Sequence, residues 1–342
     1  MKTNKLRESM TEAFLAALQE DKLPWHSMWT SMRPKNAITD KNYKGINAFW
    51  LSFVAEAKGY DDNRWCTFKQ AESKGWHIKK GEKASSIEYW RLYDKLKKKY
   101  IEWPEARQIV SDDPEREKDI ILTCRTYCVF NANQIEGIPE LVHPNNVDIK
   151  EVRAKRDVLL NNMDLNFREG GNEAYYQPLQ DRITMPPEKS FLDTYGYMST
   201  FLHECGHATG HKSRLDRDLT GSFGSVSYAK EELRAEIASA FTAQALSLNS
   251  DGTIPSDRLD NHKAYIQSWI EVIQDKPNEL FSAIKDAEGI SDYLLEKGEF
   301  LKDRDREEVT PHKVPSLDEQ IQTASMSSGA KLAEAKVLAP VR

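Results

Sequence analysis

Two histidines four positions apart, His203 and His207, are well placed in this chain to bind one metal ion. On a helix they lie one turn apart on the same face, so both imidazoles can reach the ion. Glu204 lies beside them, where it could deprotonate a metal-bound water. Apolar residues at helical spacing and the absence of proline between Asp193 and His211 predict a half-buried helix. We therefore expect a catalytic zinc site here, with a pair of core histidines as the alternative.

Catalytic zinc usually has three protein ligands, so a third ligand must come from elsewhere in the chain. Glu232 and Glu236 lie one turn apart on a later predicted helix. One of them can bind the ion while the other accepts the outer N–H of a ligating histidine, and we favour Glu232 as the ligand. His211 is four residues beyond His207, where binding to the ion would be strained. We therefore expect it to contact a ligand or the substrate.

A zinc site of this kind would hydrolyse an amide bond. Zinc lowers the pKa of its bound water to near neutrality, and Glu204 would take the proton and return it to the leaving amine. The strand-like segment 175–184 would align an extended peptide beside the site. Four side chains are candidates for stabilising the oxyanion: Tyr195, Tyr197, Tyr228 and His211.

The composition is typical of a soluble globular protein with two domains: 342 residues, 39% hydrophobic and 30% charged. The apolar stretches are too short to cross a bilayer, and the charged N-terminus lacks the apolar core of a signal peptide. We therefore expect a cytoplasmic protein with no membrane partner. Four cysteines argue against a disulfide framework, and an apolar run predicts that Cys124 and Cys128 are buried thiols.

The first third of the chain is basic and rich in tryptophan. Residues 1–100 contain 20 Lys and Arg against 12 Asp and Glu, a charge of +8, whereas the remainder carries −14. Tryptophans among cations suit single-stranded DNA, because bases stack on the rings and cations contact phosphates. Some of these aromatics should instead form the core, and Trp50 and Trp90 have the most core-like context. The candidate DNA contacts are Trp25, Trp29, Lys35, Asn36, Tyr43, Lys44, Asn47, Arg64, Trp65, Lys69, Lys79 and Lys80.

Hydrophobic periodicity predicts an α+β fold with two domains, 1–145 and 150–303, and a disordered tail over 304–342. The first would be a small α+β domain, and the second would be mostly helical with a short sheet. Helices are predicted over 5–20, 47–58, 69–74, 150–162, 193–211, 228–248, 255–274 and 277–297. Strands are predicted over 85–91 and 120–130, with an exposed charged excursion at 94–119 between them, and two more within 173–186.

Many ordered motifs resemble the ArdC family of antirestriction proteins. They are Pro24-Trp25, Pro34–Asn36, Tyr43–Asn47, Arg64–Ala71, Lys79–Lys83, Val129–Gly137, Asp181–Pro186, His203–His207, Ser213–Leu215 and Glu231–Leu233. The resemblance covers about residues 5–297, and the excursion and the tail depart from it. It implies an N-terminal single-stranded-DNA-binding domain, also found on plasmid-transfer primases, and a zincin-like metallopeptidase domain. The acids of Glu232–Glu236 also resemble the second helix of gluzincin peptidases, in which the first acid is the ligand.

The resemblance implies that the protein protects incoming single-stranded DNA of a mobile element from host restriction. Its expected partners are single-stranded DNA and a protein substrate such as a host restriction or defence component. One alternative is a DNA-coating protein whose zincin domain is structural or inactive. Another is an accessory of plasmid-transfer priming, although the sequence shows no acid cluster for nucleotidyl transfer.

Overall fold

The structure, a computed structural model, describes residues 5–20, 22–23, 25, 28, 31–141, 149–222, 224–246 and 256–300. They belong to a compact unit that extends to Lys302, and the predicted tail over 304–342 lies outside the described residues. The helices are α1 (Lys5–Gln19), α2 (Gly45–Lys58), α3 (Phe68–Ser73), α4 (Trp103–Asp112), α5 (Ile149–Ala154), α6 (Arg156–Asn162), α7 (Thr194–Ala208), α8 (Val226–Ala245), α9 (Ser256–Asp275) and α10 (Asn278–Lys297). The strands are β1 (Lys35–Asn36), β2 (Arg64–Cys66), β3 (His77–Ile78), β4 (Ser85–Asp94), β5 (Lys99–Ile101), β6 (Ile120–Asn131), β7 (Ile135–Glu136), β8 (Asn166–Glu169), β9 (Tyr175–Gln177) and β10 (Arg182–Met185).

The front half is built on a five-stranded sheet in the order β1-β2-β6-β4-β5. The long strands β4 and β6, predicted over 85–91 and 120–130, pair antiparallel from Ser85↔Val129 to Asp94↔Ile120. Helix α2 packs against β4, and it ends at Gly59, whose positive φ of 66° allows its N–H to close the last turn. Strands β3 and β7 form a separate two-stranded sheet.

The excursion at 94–119 is mostly exposed, as predicted, but it also contains regular secondary structure. It contains β5, helix α4 and a 3-10 turn, and its Ile101 and Ala106 are buried in a small core together with Leu92 of β4. Its two prolines, Pro104 and Pro114, both lie in the first turn of a helical segment. Proline is tolerated there because the first N–H groups of a helix have no partner within it.

In the back half a three-stranded sheet, in the order β8-β10-β9, packs against α7. The central strand β10 pairs parallel with β8 and antiparallel with β9. The predicted helices over 193–211, 228–248, 255–274 and 277–297 are α7 to α10, and the helix expected over 150–162 is divided into α5 and α6. The α+β fold class is confirmed. None of the described helices is long and apolar enough to cross a lipid bilayer.

The main hydrophobic core draws on both halves of the chain. Phe14 of α1 and Phe49 of α2 belong to the same cluster as Phe201 of α7 and Phe241 of α8. Smaller clusters lie under the front sheet alone. The two predicted domains therefore share a core. The predicted boundary near 145 lies outside the described residues.

Candidate metal centre

Helix α7 presents the two histidines away from its buried face. Asp193 caps its first turn by accepting the N–H of Gly196 at 2.7 Å. Phe201 and Cys205 are fully buried, whereas His203 and His207 are only partly buried. This division follows from the helical repeat, because apolar residues spaced three and four apart define the core side.

The imidazoles of His203 and His207 converge with the carboxylate of Glu232, which α8 supplies. The two Nε2 atoms are 3.1 Å apart. The distance from His203 Nε2 to Glu232 Oε2 is 3.6 Å, and that from His207 Nε2 to Glu232 Oε1 is 3.4 Å. Ligand atoms around one tetrahedral zinc ion lie about 3.4 Å apart. The spacing of these three groups therefore suits one small divalent cation, and within the described residues no other cluster of this kind is found.

Each histidine has a second carboxylate behind it. His203 Nδ1 lies 3.1 Å from Glu236 Oε1, and His207 Nδ1 lies 3.3 Å from Glu231 Oε1. A carboxylate at the outer nitrogen directs the other nitrogen of the ring towards the centre of the site. Glu236 was expected in this position. The contact of Glu231 with His207 was not predicted from the sequence. The position of Glu231 directly before the predicted ligand Glu232 could have indicated that it lies near the site.

Arg217 fixes the carboxylate of Glu231. Its Nη2 is 2.6 Å from Glu231 Oε1, and its Nε is 3.1 Å from Oε2. The same guanidinium donates to the hydroxyl of Thr209 and to the carbonyl of Gly206 at the end of α7. Arg217 therefore joins the end of α7 to the acid that faces His207.

The carboxylates make the two histidines more basic. Burial lowers the pKa of His203, but the charges of Glu236 and Glu204 outweigh burial and leave the pKa above its ordinary value. Burial also lowers the pKa of His207, but the negative charges of Glu232 and Glu231 outweigh burial and raise that pKa well above its ordinary value. Burial raises the pKa of Glu232. The two histidines and the hydroxyl of Tyr228 outweigh burial and lower the pKa of this carboxyl group to about 2. The site is strongly polarised and favours a cation.

Glu204 lies within the site, as the sequence predicts from its place next to His203. Its side chain is buried, and its negative charge raises the pKa values of His203 and Tyr265. Tyr228 of α8 lies one turn before Glu232 and next to Tyr265, and burial together with the charge of Glu232 raises the pKa of its hydroxyl. Tyr228 is therefore the oxyanion candidate whose contacts place it at the metal centre.

Two other oxyanion candidates lie elsewhere. Tyr197 is fully buried, and its hydroxyl accepts a hydrogen bond from Arg156 at 2.9 Å. His211 does not share a helix face with His207, because α7 ends at Ala208 and the chain turns. Its Nδ1 lies 2.8 Å from Ser213 Oγ and 3.9 Å from Asp181.

Several front-half residues have structural roles that compete with the predicted DNA contacts. Trp25 and Trp65 are fully buried, so their rings cannot stack on a base, which corrects that prediction. Trp25 instead packs edge-on against Trp269, with ring centroids 5.2 Å apart. Trp90, expected in the core, is exposed, and Trp50 is half-buried.

Most polar residues of the prediction have partners within the protein. Asn47 exchanges hydrogen bonds with the backbone of Glu88, and Asn36 closes the turn that follows it. Arg64 pairs with Asp62. Lys35 pairs with Asp40, Lys44 lies 4.0 Å from Asp292, and Lys79 donates to the carbonyl of Asn133. Lys35 and Tyr43 are half-buried, whereas Lys44, Lys69, Lys79 and Lys80 are exposed, and Trp29 lies outside the described residues.

Cys124 and Cys128 are exposed on β6, not buried as expected. Cys124 pairs with Trp90, and both lie on the face of the sheet against which α4 packs. Helix α4 contacts Leu92 and Leu122, which lie farther along the strands, so Cys124 remains exposed. An apolar run in the sequence therefore does not show which positions of β6 are covered.

Comparison with known proteins matches both halves of the chain. A family model described as the N-terminal domain of anti-restriction factor ArdC matches residues 4–130, and one described as a zincin-like metallopeptidase matches 154–286. Two Escherichia coli relatives, both named DNA primase TraC, are 37% and 35% identical over 84% and 92% of this chain. The matches cover only 20% and 29% of those relatives, so the chain spans less than a third of their length. A Sinorhizobium fredii protein, y4eC, is 33% identical, with 84% of this chain and 90% of that protein covered.

Solved structures give the same result. The Mn(II)-bound antirestriction protein ArdC from plasmid R388 matches with a TM-score of 0.66 and 32% identity, over 85% of this chain and 97% of that one. Its metal-free form matches with a TM-score of 0.66 and 29% identity, over 87% and 100%. The chain therefore belongs to the ArdC family of antirestriction proteins, with an ArdC-type N-terminal domain and a zincin-like C-terminal domain.

Proposed function

We propose that this protein binds single-stranded DNA and carries a zinc-dependent peptidase site, and that it protects the incoming DNA of a mobile element from host restriction. The observation that carries the peptidase proposal is the convergence of His203, His207 and Glu232 at distances that suit one ion. The resemblance to ArdC supports the antirestriction role. The proposed place of action is the cytoplasm, where entering DNA meets restriction enzymes.

The residues of the site fit a divalent cation. Two imidazole nitrogens and one carboxylate are a usual ligand set of catalytic zinc, which leaves a position for water. The Mn(II)-bound ArdC structure supports a divalent metal in this family. When bound, such an ion acts as a Lewis acid that activates water and polarises a carbonyl.

The protein side chains then handle the proton and the orientation of the ligands. Glu204, buried beside His203, takes a proton from the attacking water and delivers it to the leaving amine. Glu231 and Glu236 hold the imidazoles in position through their outer nitrogens. The hydroxyl of Tyr228, beside Glu232, is our candidate for stabilising the negative charge that develops on the carbonyl oxygen. The substrate we propose is a host restriction or defence protein.

A second candidate function is an accessory role in plasmid-transfer priming. Two relatives are named DNA primase TraC, and each contains a region similar to this chain within a much longer protein. DNA binding would suffice for that role, and the zincin domain could then be structural, as it would be in a protein that only coats DNA.

The Glu204→Gln variant separates these functions. Purified wild-type protein should contain an equimolar amount of zinc and should cleave fluorescent casein in the presence of oligothymidylate. The variant should retain the zinc and lose cleavage, because only the proton carrier is removed, whereas His203→Ala should lose both. If the wild type cleaves nothing and Glu204→Gln still protects entering DNA from restriction, the coating function is correct and the peptidase proposal is wrong.

A further inference from the structure

One face of the antiparallel pair of strands β4 and β6 carries aromatic and arginine side chains. Side chains alternate along a strand, and paired residues point to the same face. The register pairs Tyr89 with Arg125 and Tyr93 with both Ile121 and Tyr100. The residues of this tyrosine–arginine face are Tyr89, Arg91 and Tyr93 of β4, Tyr100 of β5, and Arg125 and Tyr127 of β6.

The rings of this face form two pairs. Tyr89 and Tyr127 meet edge to face with centroids 5.7 Å apart, and Tyr93 and Tyr100 do so at 5.2 Å. The first pair is the open one, because Tyr89 is 49% and Tyr127 41% exposed. Tyr89 and Tyr93 are four residues apart, so the pairs lie about 13 Å apart along β4. That length accommodates more than one base.

Two arginines lie between and beside these rings. The guanidinium carbon of Arg91 is 4.4 Å from the ring centroid of Tyr100, and that of Arg125 is 5.2 Å from it. Arg125 also donates to the hydroxyl of Tyr100 at 2.8 Å. A guanidinium held beside a ring in this way keeps further N–H groups that can contact a phosphate.

Helix α4 covers part of the opposite face of the paired strands β4 and β6, and on this face helix α2 covers the end that contains Ile87 and Val129. Helix α4 packs over Leu92 and Ile101 on the opposite face. On the tyrosine–arginine face, no described element covers Tyr89 or Tyr127, as their exposure shows. An open sheet face is ordinarily polar, so exposed aromatic rings indicate a binding surface.

Charge selects an anionic partner for this face. Its positions carry two arginines and, in the described strands β4 and β6, no carboxylate. The neighbouring acid is Glu102, 3.9 Å from Arg91 and with a side chain 79% exposed, so it is free to turn away. Another nearby acid, Glu105 of α4, already has two cationic partners, Lys97 and Lys99.

We propose that the tyrosine–arginine face is the surface on which this protein stacks the bases of single-stranded DNA. Tyr89 and Tyr127 contact bases, and Arg91 and Arg125 contact phosphates. The inference rests on the proposed DNA-binding function and gives it a location. The base-stacking residues are then the exposed Tyr89 and Tyr127, and not Trp25 and Trp65, which are buried.

The test is the binding of fluorescent oligothymidylate to the full chain, measured by anisotropy at several salt concentrations. The double variant Tyr89→Ala/Tyr127→Ala should bind roughly 10-fold or more weakly, because stacking on both rings is lost. The matched Tyr89→Phe/Tyr127→Phe variant keeps the rings and should bind like the wild type. Arg125→Gln should weaken binding and reduce the salt slope by about one. Thr126→Ala, exposed on the opposite face, is the control and should bind normally.

Each outcome decides the proposal. If the wild type binds and the alanine pair binds equally well, the DNA site lies elsewhere, while the DNA-binding function stands. If the wild type does not bind oligothymidylate, or prefers duplex of the same length, both the face and the DNA-binding function are wrong. If the alanine pair lowers the melting temperature, the Arg125→Gln variant decides, because an unchanged affinity and salt slope there would overturn the proposal.

Discussion

At the scale of single residues, we expect the carboxylates behind the histidines to set how tightly the site holds a cation. Spacing predicts His203, Glu204 and His207, because one helical turn fixes their relation. Glu232 is predicted as an acid on a facing helix. Glu231 cannot be assigned in the same way, since its role depends on how α7 and α8 pack, and that packing is set by contacts distant in sequence.

Glu231→Gln should weaken zinc binding by about 10- to 100-fold, because it removes the carboxylate that orients His207. Competition with a chromophoric chelator at pH 7 measures the affinity. Glu296→Gln, an exposed acid on α10, is the matched control and should leave the affinity unchanged. An unchanged affinity in Glu231→Gln would show that the contact of 3.3 Å between Glu231 and His207 has no part in holding the ligand.

At the scale of elements, strong periodicity predicts the long helices, but weak local signals miss short elements. Helix α4 and strand β5 are absent from the prediction, because Pro104 and the surrounding charges are typical of a loop and the apolar contacts of Ala106 involve distant strands. Aromatic residues are equally ambiguous. Trp65 and Tyr89 both have aromatic side chains, yet Trp65 is buried and Tyr89 is exposed. This difference depends on how α2 packs on the sheet, which the sequence does not show.

Helices α8 and α10 are joined by an ion-pair cluster that gives a prediction for stability. Lys230 and Arg234 both donate to Glu279 at 2.8 Å. Burial raises the pKa of Glu279, but these two cations outweigh burial and lower the pKa overall. Glu279→Gln should therefore reduce the free energy of unfolding by about 2 kcal/mol at pH 7.

The pH dependence of that loss has a defined sign. Because the native pKa of Glu279 lies below its ordinary value of 4.5, its contribution is complete above pH 4.5 and disappears as the pH falls through the native pKa. Urea unfolding of wild type and variant at pH 7 and at successively lower pH measures the difference, and Asp275→Asn, on an exposed acid of α9, is the control. A difference that stays constant down to acid pH would contradict the role of the charge.

At the scale of the whole molecule, the shared core links the front half to the metal-centre half. Charge and tryptophan content predict two modules, but they do not show that Phe14 and Phe49 of the front half pack with Phe241 of α8. A polar contact between the halves adds to this packing, because Arg33 pairs with Glu288 of α10 at 2.5 Å. A perturbation of α1 should therefore reach the metal centre.

Phe14→Ala should destabilise both halves together by roughly 3–5 kcal/mol, because it leaves a cavity in the common core. Hydrogen exchange should show a matching loss of protection in α2 and in α8. Leu179→Ala removes a fully exposed leucine and should change neither helix. Loss of protection in α2 alone would show that the halves unfold independently.

The central claim is that one zinc ion is bound by His203, His207 and Glu232. Diffraction from zinc-loaded crystals, recorded on both sides of the zinc absorption edge, tests it most directly. We predict one strong anomalous peak per chain, about 2.0–2.2 Å from the two Nε2 atoms and from the Glu232 carboxylate. No peak among these three side chains in fully loaded crystals, or a peak bound by other residues, would contradict the claim.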